Sequence, residues 1–305
     1  MKFLSSLALA CGLIFGGANA ASAAPTTAAV STQDIVQTAV STPGFGTLTT
    51  LLTQANLVST LQGPGPFTVF APTDSAFSAL DPNLVTFLTD PANVESLRNV
   101  LLYHVAPGQF ASPQVLSSPF LSMANGQRAN VTFFGGIPRI DGCVISVTDI
   151  ICSNGIIHVL DAVMSPNLSR IADTAASTSR FDTLLAALGA ANLAAVLDGP
   201  GPFTVLAPTD HAFEALPPGF VASLLLPQNQ GLLQDILKYH VIPGRAYAND
   251  ALGLGNVATL NGNEVFFGLV NGVPRVNGAR IFKRDVDCLN GVVHAIDRVL
   301  LPPLP

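Results

Sequence analysis

Charge is what this sequence has least of. Asp, Glu, Lys and Arg make up only 10% of its 305 residues, against roughly a quarter in an average soluble chain. The 13 basic and 19 acidic residues leave a net charge of −6, and no basic run occurs. That removes the electrostatic footprint on which nucleic-acid binding depends, so no nucleic-acid partner is expected. Tryptophan is absent and cysteine occurs four times. Beyond the N-terminal segment no apolar run approaches the ~20 residues of a membrane span, so no transmembrane segment is expected. No His, Cys, Asp or Glu pair stands at zinc-ligand spacing and Asp-rich calcium loops are missing, so neither a metal nor a cofactor is expected. A Gly-x-Ser-x-Gly nucleophile elbow is missing as well.

The start of the chain reads as a targeting segment. Lys2 precedes an apolar stretch from Phe3 to Phe15, and Ala18-Asn19-Ala20 and Ala21-Ser22-Ala23 are both small-x-small cleavage sites. Residues 1–23 are therefore expected to be a signal peptide, and the mature protein to be secreted, or periplasmic or on the cell surface in a bacterium. Cys11 lies within the apolar stretch but lacks the Leu of a lipoprotein box, and no polar spacer with an apolar tail indicates a GPI anchor. Cys143, Cys152 and Cys288 remain, an odd number in an oxidising compartment. Core thiols suit them. A Cys143–Cys152 disulfide is the alternative, but nine extended residues span about 30 Å, so it needs a bend between them.

What is present is a duplication. Gly63-Pro64-Gly65-Pro66-Phe67-Thr68-Val69-Phe70-Ala71-Pro72-Thr73-Asp74 returns as Gly199-Pro200-Gly201-Pro202-Phe203-Thr204-Val205-Leu206-Ala207-Pro208-Thr209-Asp210, a constant 136 residues on. Each copy reads as a Gly-Pro turn, a short apolar strand and a helix entry in which Thr73 or Asp74 accepts hydrogen bonds from free amides. Tyr103-His104-Val105 returns as Tyr239-His240-Val241 after an amphipathic helix. The closing hairpin, turned at Asn154-Gly155, returns at Asn290-Gly291. Two units are expected, 31–166 and 167–303, joined without a Gly/Ser linker and so unable to tumble independently.

These three blocks, in order and in duplicate, resemble the fasciclin (FAS1) domain family. The resemblance implies an α+β fold: two tandem domains, each a wedge or sandwich of β-strands packed against a group of α-helices. It further implies a secreted, non-enzymatic protein of adhesion, contacting a cell-surface or matrix protein or a wall polysaccharide. The family's Tyr-His motif and an Asp-Ile pair carry over as partner-binding candidates. Here they are Tyr103, His104, Asp149 and Ile150, and Tyr239, His240, Asp285 and Val286, where Val departs from the pattern.

The residues leave other readings open. His104, His158 and Asp74 could be assembled into a base-and-orienter set for a hydrolase, though each histidine lies in an apolar setting where a backbone-bonded ring is the usual role. An apolar cleft between helices and strands could carry a small molecule or lipid. Phe133-Phe134 and Phe266-Phe267 are adjacent strand aromatics, so one of each pair should face outward. Asn130 and Asn167 head glycosylation sequons.

Overall fold

The computed structural model describes residues 32–303. The expected signal peptide, with Cys11, lies outside the described residues.

The first domain begins with three helices, α1 (Ile35–Ser41), α2 (Gly46–Gln54) and α3 (Val58–Leu61). Strand β1 (Phe67–Pro72) follows, then α4 (Asp74–Ser78), α5 (Pro82–Thr89) and α6 (Val94–Leu102). After β2 (Val105–Pro107) and α7 (Ser112–Ser117) come β3 (Phe120–Ser122), β4 (Arg128–Phe134), β5 (Ile137–Ile140), β6 (Cys143–Cys152) and β7 (Gly155–Leu160). The second domain repeats the series. Its helices are α8 (Ile171–Ala176), α9 (Asp182–Ala190), α10 (Ala194–Leu197), α11 (Asp210–Glu214), α12 (Phe220–Leu224), α13 (Gln230–Tyr239) and α14 (Ala248–Leu254). Its strands are β8 (Phe203–Pro208), β9 (Val241–Pro243), β10 (Asn256–Ala258), β11 (Glu264–Val270), β12 (Val273–Val276), β13 (Ala279–Cys288) and β14 (Gly291–Ile296).

Each domain holds a seven-stranded sheet in the order β2-β1-β7-β6-β5-β4-β3, or its counterpart in the second copy. Among the described strands only β1 with β7, and β8 with β14, run parallel. A parallel pair needs a long crossover, and here the crossover carries the remaining helices and strands of the domain. Because strand side chains alternate, β1 serves two cores at once. Val69 and Ala71 pack under the helices with Leu48, Leu52, Leu101 and Ile157. Phe70 points the other way, into a second cluster with Tyr103, Ile140, Leu160 and Met164. Full burial of a side chain such as Phe70 contributes about 1.5–3 kcal/mol.

The Asn-Gly turn locks the parallel pair. Asn154 accepts from Ile35 N at 2.9 Å and donates to Leu61 O and Gly63 O at 2.7 and 2.9 Å, tying α1 and α3 to the sheet. A Cβ on Gly155 would lie 1.9 Å from Phe67 O, so only glycine lets β7 approach β1. Gly291 meets Phe203 O at the same 1.9 Å.

One expectation is sharpened and one is corrected. Thr73 does cap its own helix, accepting from Ala76 N, but Asp74 caps α2 instead, accepting from Thr47 N at 2.7 Å and Gly46 N at 3.3 Å. Those bonds, that from Thr47 first, hold its carboxyl below the usual range. The aromatic pairs also differ from each other. Phe267 is buried and Phe266 exposed, as alternation requires, but Phe133 and Phe134 are both exposed because they end β4 at a hairpin tip that projects past the core.

Candidate functional site

The Tyr-His pairs are inside. Tyr103, His104, Tyr239 and His240 are each under 5% exposed, which removes them as direct partner contacts. His104 Nδ1 faces Val100 O at 2.8 Å and its Nε2 faces Met164 N at 2.9 Å. A carbonyl only accepts and an amide only donates, so the ring is neutral with its proton on Nδ1. His240 is held identically by Ile236 O and Leu300 N. Complete burial lowers both pKa values to about 4. Tyr103 hydroxyl lies against the Asp141 carboxylate and Arg128 O; burial first, then Asp141, pushes its pKa up.

The Asp-Ile pair sits on a bulge. Pairing of β6 with β7 slips on either side of Val147, and Asp149 takes φ 62°, a left-handed conformation that Asp tolerates. Its amide donates to His158 Nδ1 at 3.2 Å, and His158 Nε2 donates to Phe110 O at 2.9 Å. The Asp149 carboxylate accepts from Ser112 N at 2.8 Å at the start of α7. Although burial pushes upward, Ser112 and the nearby His158 hold this carboxyl below its ordinary value. Asp285 repeats the device at φ 58°, with His294 and Ala248 N as partners. Asp149, Ile150, Asp285 and Val286 are only partly exposed, and both carboxylates are occupied by structural bonds.

The hydrolase set is not assembled. Asp74 serves α2, His104 serves the link between α6 and Met164, and His158 serves the bulge. The disulfide does not form either: Cys143 and Cys152 occupy opposite ends of β6 and are free and buried, as is Cys288. Burial pushes the Cys143 thiol up to about 11, and Cys152 Sγ lies 3.4 Å from Thr38 Oγ1. Two apolar cavities are small, about 60 Å³ beside His104 and about 170 Å³ between α9 and α13, below the roughly 300 Å³ of a small-molecule site. Asn130 is exposed on β4. Asn167 spends its side-chain amide on Asp287 O at 2.7 Å, so a glycan there competes with the bond that ties the start of the second unit to β13.

Between the domains lies a cleft of about 780 Å³, whose walls include Arg98, Arg128, Arg170 and Arg245. Arg128, from β4, crosses to the second domain. Its guanidinium is stacked between Phe120 and Tyr247, 3.9 and 3.8 Å from their ring centroids, and meets Asp250 at 2.6 Å. Tyr247 hydroxyl lies 2.6 Å from Asp287 Oδ1 and 3.1 Å from Gly126 O, so its one proton serves both domains. Arg245 pairs with Asp287 at 3.1 Å and donates to the carbonyls of Cys288, Leu289 and Gly291. Burial raises the Asp287 pKa, opposed by Tyr247 and Arg245; burial first, then Asp287, raises that of Tyr247.

A family model described as the fasciclin domain matches residues 43–166 and 179–302. The chain belongs to the fasciclin domain family. It carries two tandem FAS1 domains of mixed α+β structure, as the resemblance implied. Among similar proteins, this fasciclin chain is 45% identical over 146 residues to protein sll1483 of Synechocystis, covering 48% of this chain and 81% of that one. It is 30% identical over 253 residues to transforming growth factor-beta-induced protein ig-h3 of Sus scrofa, covering 83% of this chain but only 35% of that one. It thus spans about a third of the ig-h3 relative's length. A solved FAS1 domain pair from the insect cell adhesion molecule Fasciclin I is similar over 83% of this chain and 92% of that one, at 16% identity and a TM-score of 0.43.

The cleft residues of this fasciclin pair were not among the sequence candidates. A signal for them exists in the repeat itself. At the constant offset, Arg128 faces Glu264, Tyr247 faces Ala111, Asp250 faces Gln114 and Asp287 faces Ile151. These are positions where the copies differ in charge or size, unlike the core letters.

Proposed function

We propose that this is a secreted, non-enzymatic adhesion protein that works by surface contact with a cell-surface or matrix protein or a wall polysaccharide. The observation that carries this reading is the occupation of its chemistry-bearing side chains. The four duplicated histidines are buried, neutral and fixed by backbone groups, which leaves them without a proton to exchange at a surface. Exposed instead are the apolar hairpin tips, Phe133, Phe134 and Ile137 in one domain and Leu269 and Val270 in the other, and scattered surface of this kind suits macromolecular contact. Two domains add avidity when both reach their targets together. A small-molecule carrier finds no support in apolar cavities of about 60 and 170 Å³.

The test is attachment. Surfaces coated densely with the purified mature protein are expected to retain cells or wall material above an albumin-coated control. Retention no better than the control at saturating coating density defeats the reading.

A further inference from the structure

We infer that the cleft between the domains is a binding site for an acidic oligosaccharide, held through its carboxylate or sulfate groups; this deepens the adhesion reading above and rests on it. The chain is short of cations, with 13 Lys and Arg in all and a net charge of −6, yet four arginines line this one cleft.

Two of the four are committed to the protein. Arg128 holds Asp250 across the junction, and Arg245 holds Asp287 within the second domain, so neither guanidinium is free for a ligand. The other two carry charge that the fold does not use. Arg98, on α6, donates through Nη1 to Ala55 O at 2.7 Å. At the equivalent place in the second domain, neutral Gln234 makes the same bond to Ala191 O at 2.8 Å. An amide therefore suffices for the structural task, and the positive charge of Arg98 is surplus to it. Arg170 donates to Asp198 O at 2.6 Å, while the Asp198 carboxylate stands off at 3.9 Å with both side chains substantially exposed. An exposed pair at that separation contributes little. Arg98 comes from the first domain and Arg170 from the start of the second, so the two place guanidinium groups on both walls.

Guanidinium is the side chain that grips planar carboxylate and sulfate groups through paired N–H donors. The remaining wall favours a sugar over an acidic peptide. Asn99, Asn125 and Ser122 each donate and accept, matching hydroxyls, and Pro200 and Pro202 offer flat C–H faces; Glu95 and Asp250 are the acidic residues on the lining, the latter paired with Arg128. The volume of about 780 Å³ falls within the roughly 300–1,000 Å³ of ligand sites.

The experiment is titration of the mature protein with oligogalacturonate, a dextran sulfate oligosaccharide, neutral dextran and polyglutamate of matched charge. The wild type is expected to bind one or both acidic sugars, more weakly as salt rises, and to ignore neutral dextran. Preference between the two acidic sugars assigns carboxylate or sulfate. The Arg98→Gln, Arg170→Gln double variant is expected to lose about tenfold or more in affinity with an unchanged melting temperature, since Gln234 already does the task of Arg98 in the second domain and the Arg170–Asp198 pair is exposed and 3.9 Å apart. Absence of binding to both acidic sugars, equal binding of dextran or polyglutamate, or unchanged affinity in the double variant overturns the assignment. Failure here separates cleanly from failure of the adhesion reading: coated wild-type protein that still retains cells leaves adhesion standing and removes only the cleft. A double variant that melts lower is replaced by Arg170→Gln alone, for which an affinity equal to wild type is again the overturning result.

Discussion

The two domains share one set of residues and differ in another, and the sets do different work. Shared are Tyr103 with Tyr239, His104 with His240, His158 with His294, Asp149 with Asp285 and Asn154 with Asn290. Each bonds within its own domain, to equivalent partners in both copies. Different are Arg128, Arg245, Tyr247, Asp250 and Asp287, which stand where the other copy has Glu264, Gln109, Ala111, Gln114 and Ile151. Arg128 with Asp250 and Tyr247 with Gly126 O cross the junction, while Arg245 and Tyr247 converge on Asp287 behind it, within the second domain. After duplication the bonds internal to a unit are needed twice, whereas a junction between head and tail is needed once. Repetition in the sequence therefore reports the fold, and departure from repetition reports the place where the copies meet.

The comparison is broken most severely at the glycines. Gly155→Ala and Gly291→Ala each drive a Cβ to 1.9 Å from a backbone carbonyl of the adjacent parallel strand. Backbone cannot yield as a side chain can, so each substitution is expected to cost more than about 3 kcal/mol or abolish soluble folding. Urea unfolding of the two variants checks it. Equal severity in the two domains is the expected outcome, and tolerance of alanine at either position contradicts the close approach described here.

Acid supplies a second symmetrical test. His104 and His240 titrate near pH 4 when folded, and near 6.5 when unfolded. Below 6.5 the unfolded chain takes up protons that the native rings refuse. Stability from the neutral rings is thus fully present above about pH 6.5 and is lost as pH falls toward 4, on the order of 3 kcal/mol for each histidine. His158 and His294, also lowered by burial, act in the same direction. Urea midpoints measured from pH 7.5 to 4 are expected to fall in both isolated domains. A flat profile contradicts the assigned tautomers and burial.

The duplicated letters made the fold legible: turn chemistry at Asn154-Gly155, the helix delivering Tyr103-His104 and the apolar strand at Phe67 all stand where local pattern placed them. The site was less legible because repetition looks alike whether it preserves a surface or a core. Tyr103 and His104 had the spacing of a motif, and only their position between two packed clusters shows that the motif is internal. Asp74 was placed at a helix start, but which helix depends on α2 and α4 lying side by side, a tertiary fact with no local signature. Arg128 was illegible because a lone arginine in a strand has no pattern; its meaning comes from Phe120 and Tyr247, which are 127 residues apart in the chain.

The junction carries the smallest and most one-sided effect. Arg128→Glu installs the residue that the second domain has at the same place, removes both ring contacts and sets a carboxylate against Asp250. Asp250 is about half exposed, so the ion pair alone is worth about 1 kcal/mol at most. Each ring contact adds about 0.5–2 kcal/mol because the guanidinium is largely buried. The expected loss is about 2 kcal/mol, confined to the coupling between domains. The reciprocal Glu264→Arg lies on a strand with no third domain to meet among the described residues, and is expected to change stability by less than about 0.5 kcal/mol. Calorimetry of the intact pair distinguishes the cases: one melting transition in the wild type, two separated transitions in Arg128→Glu, and one again in Glu264→Arg. If Arg128→Glu melts as a single unshifted transition, the junction is not held by this side chain, and divergence between the copies loses its value as a marker of where they meet.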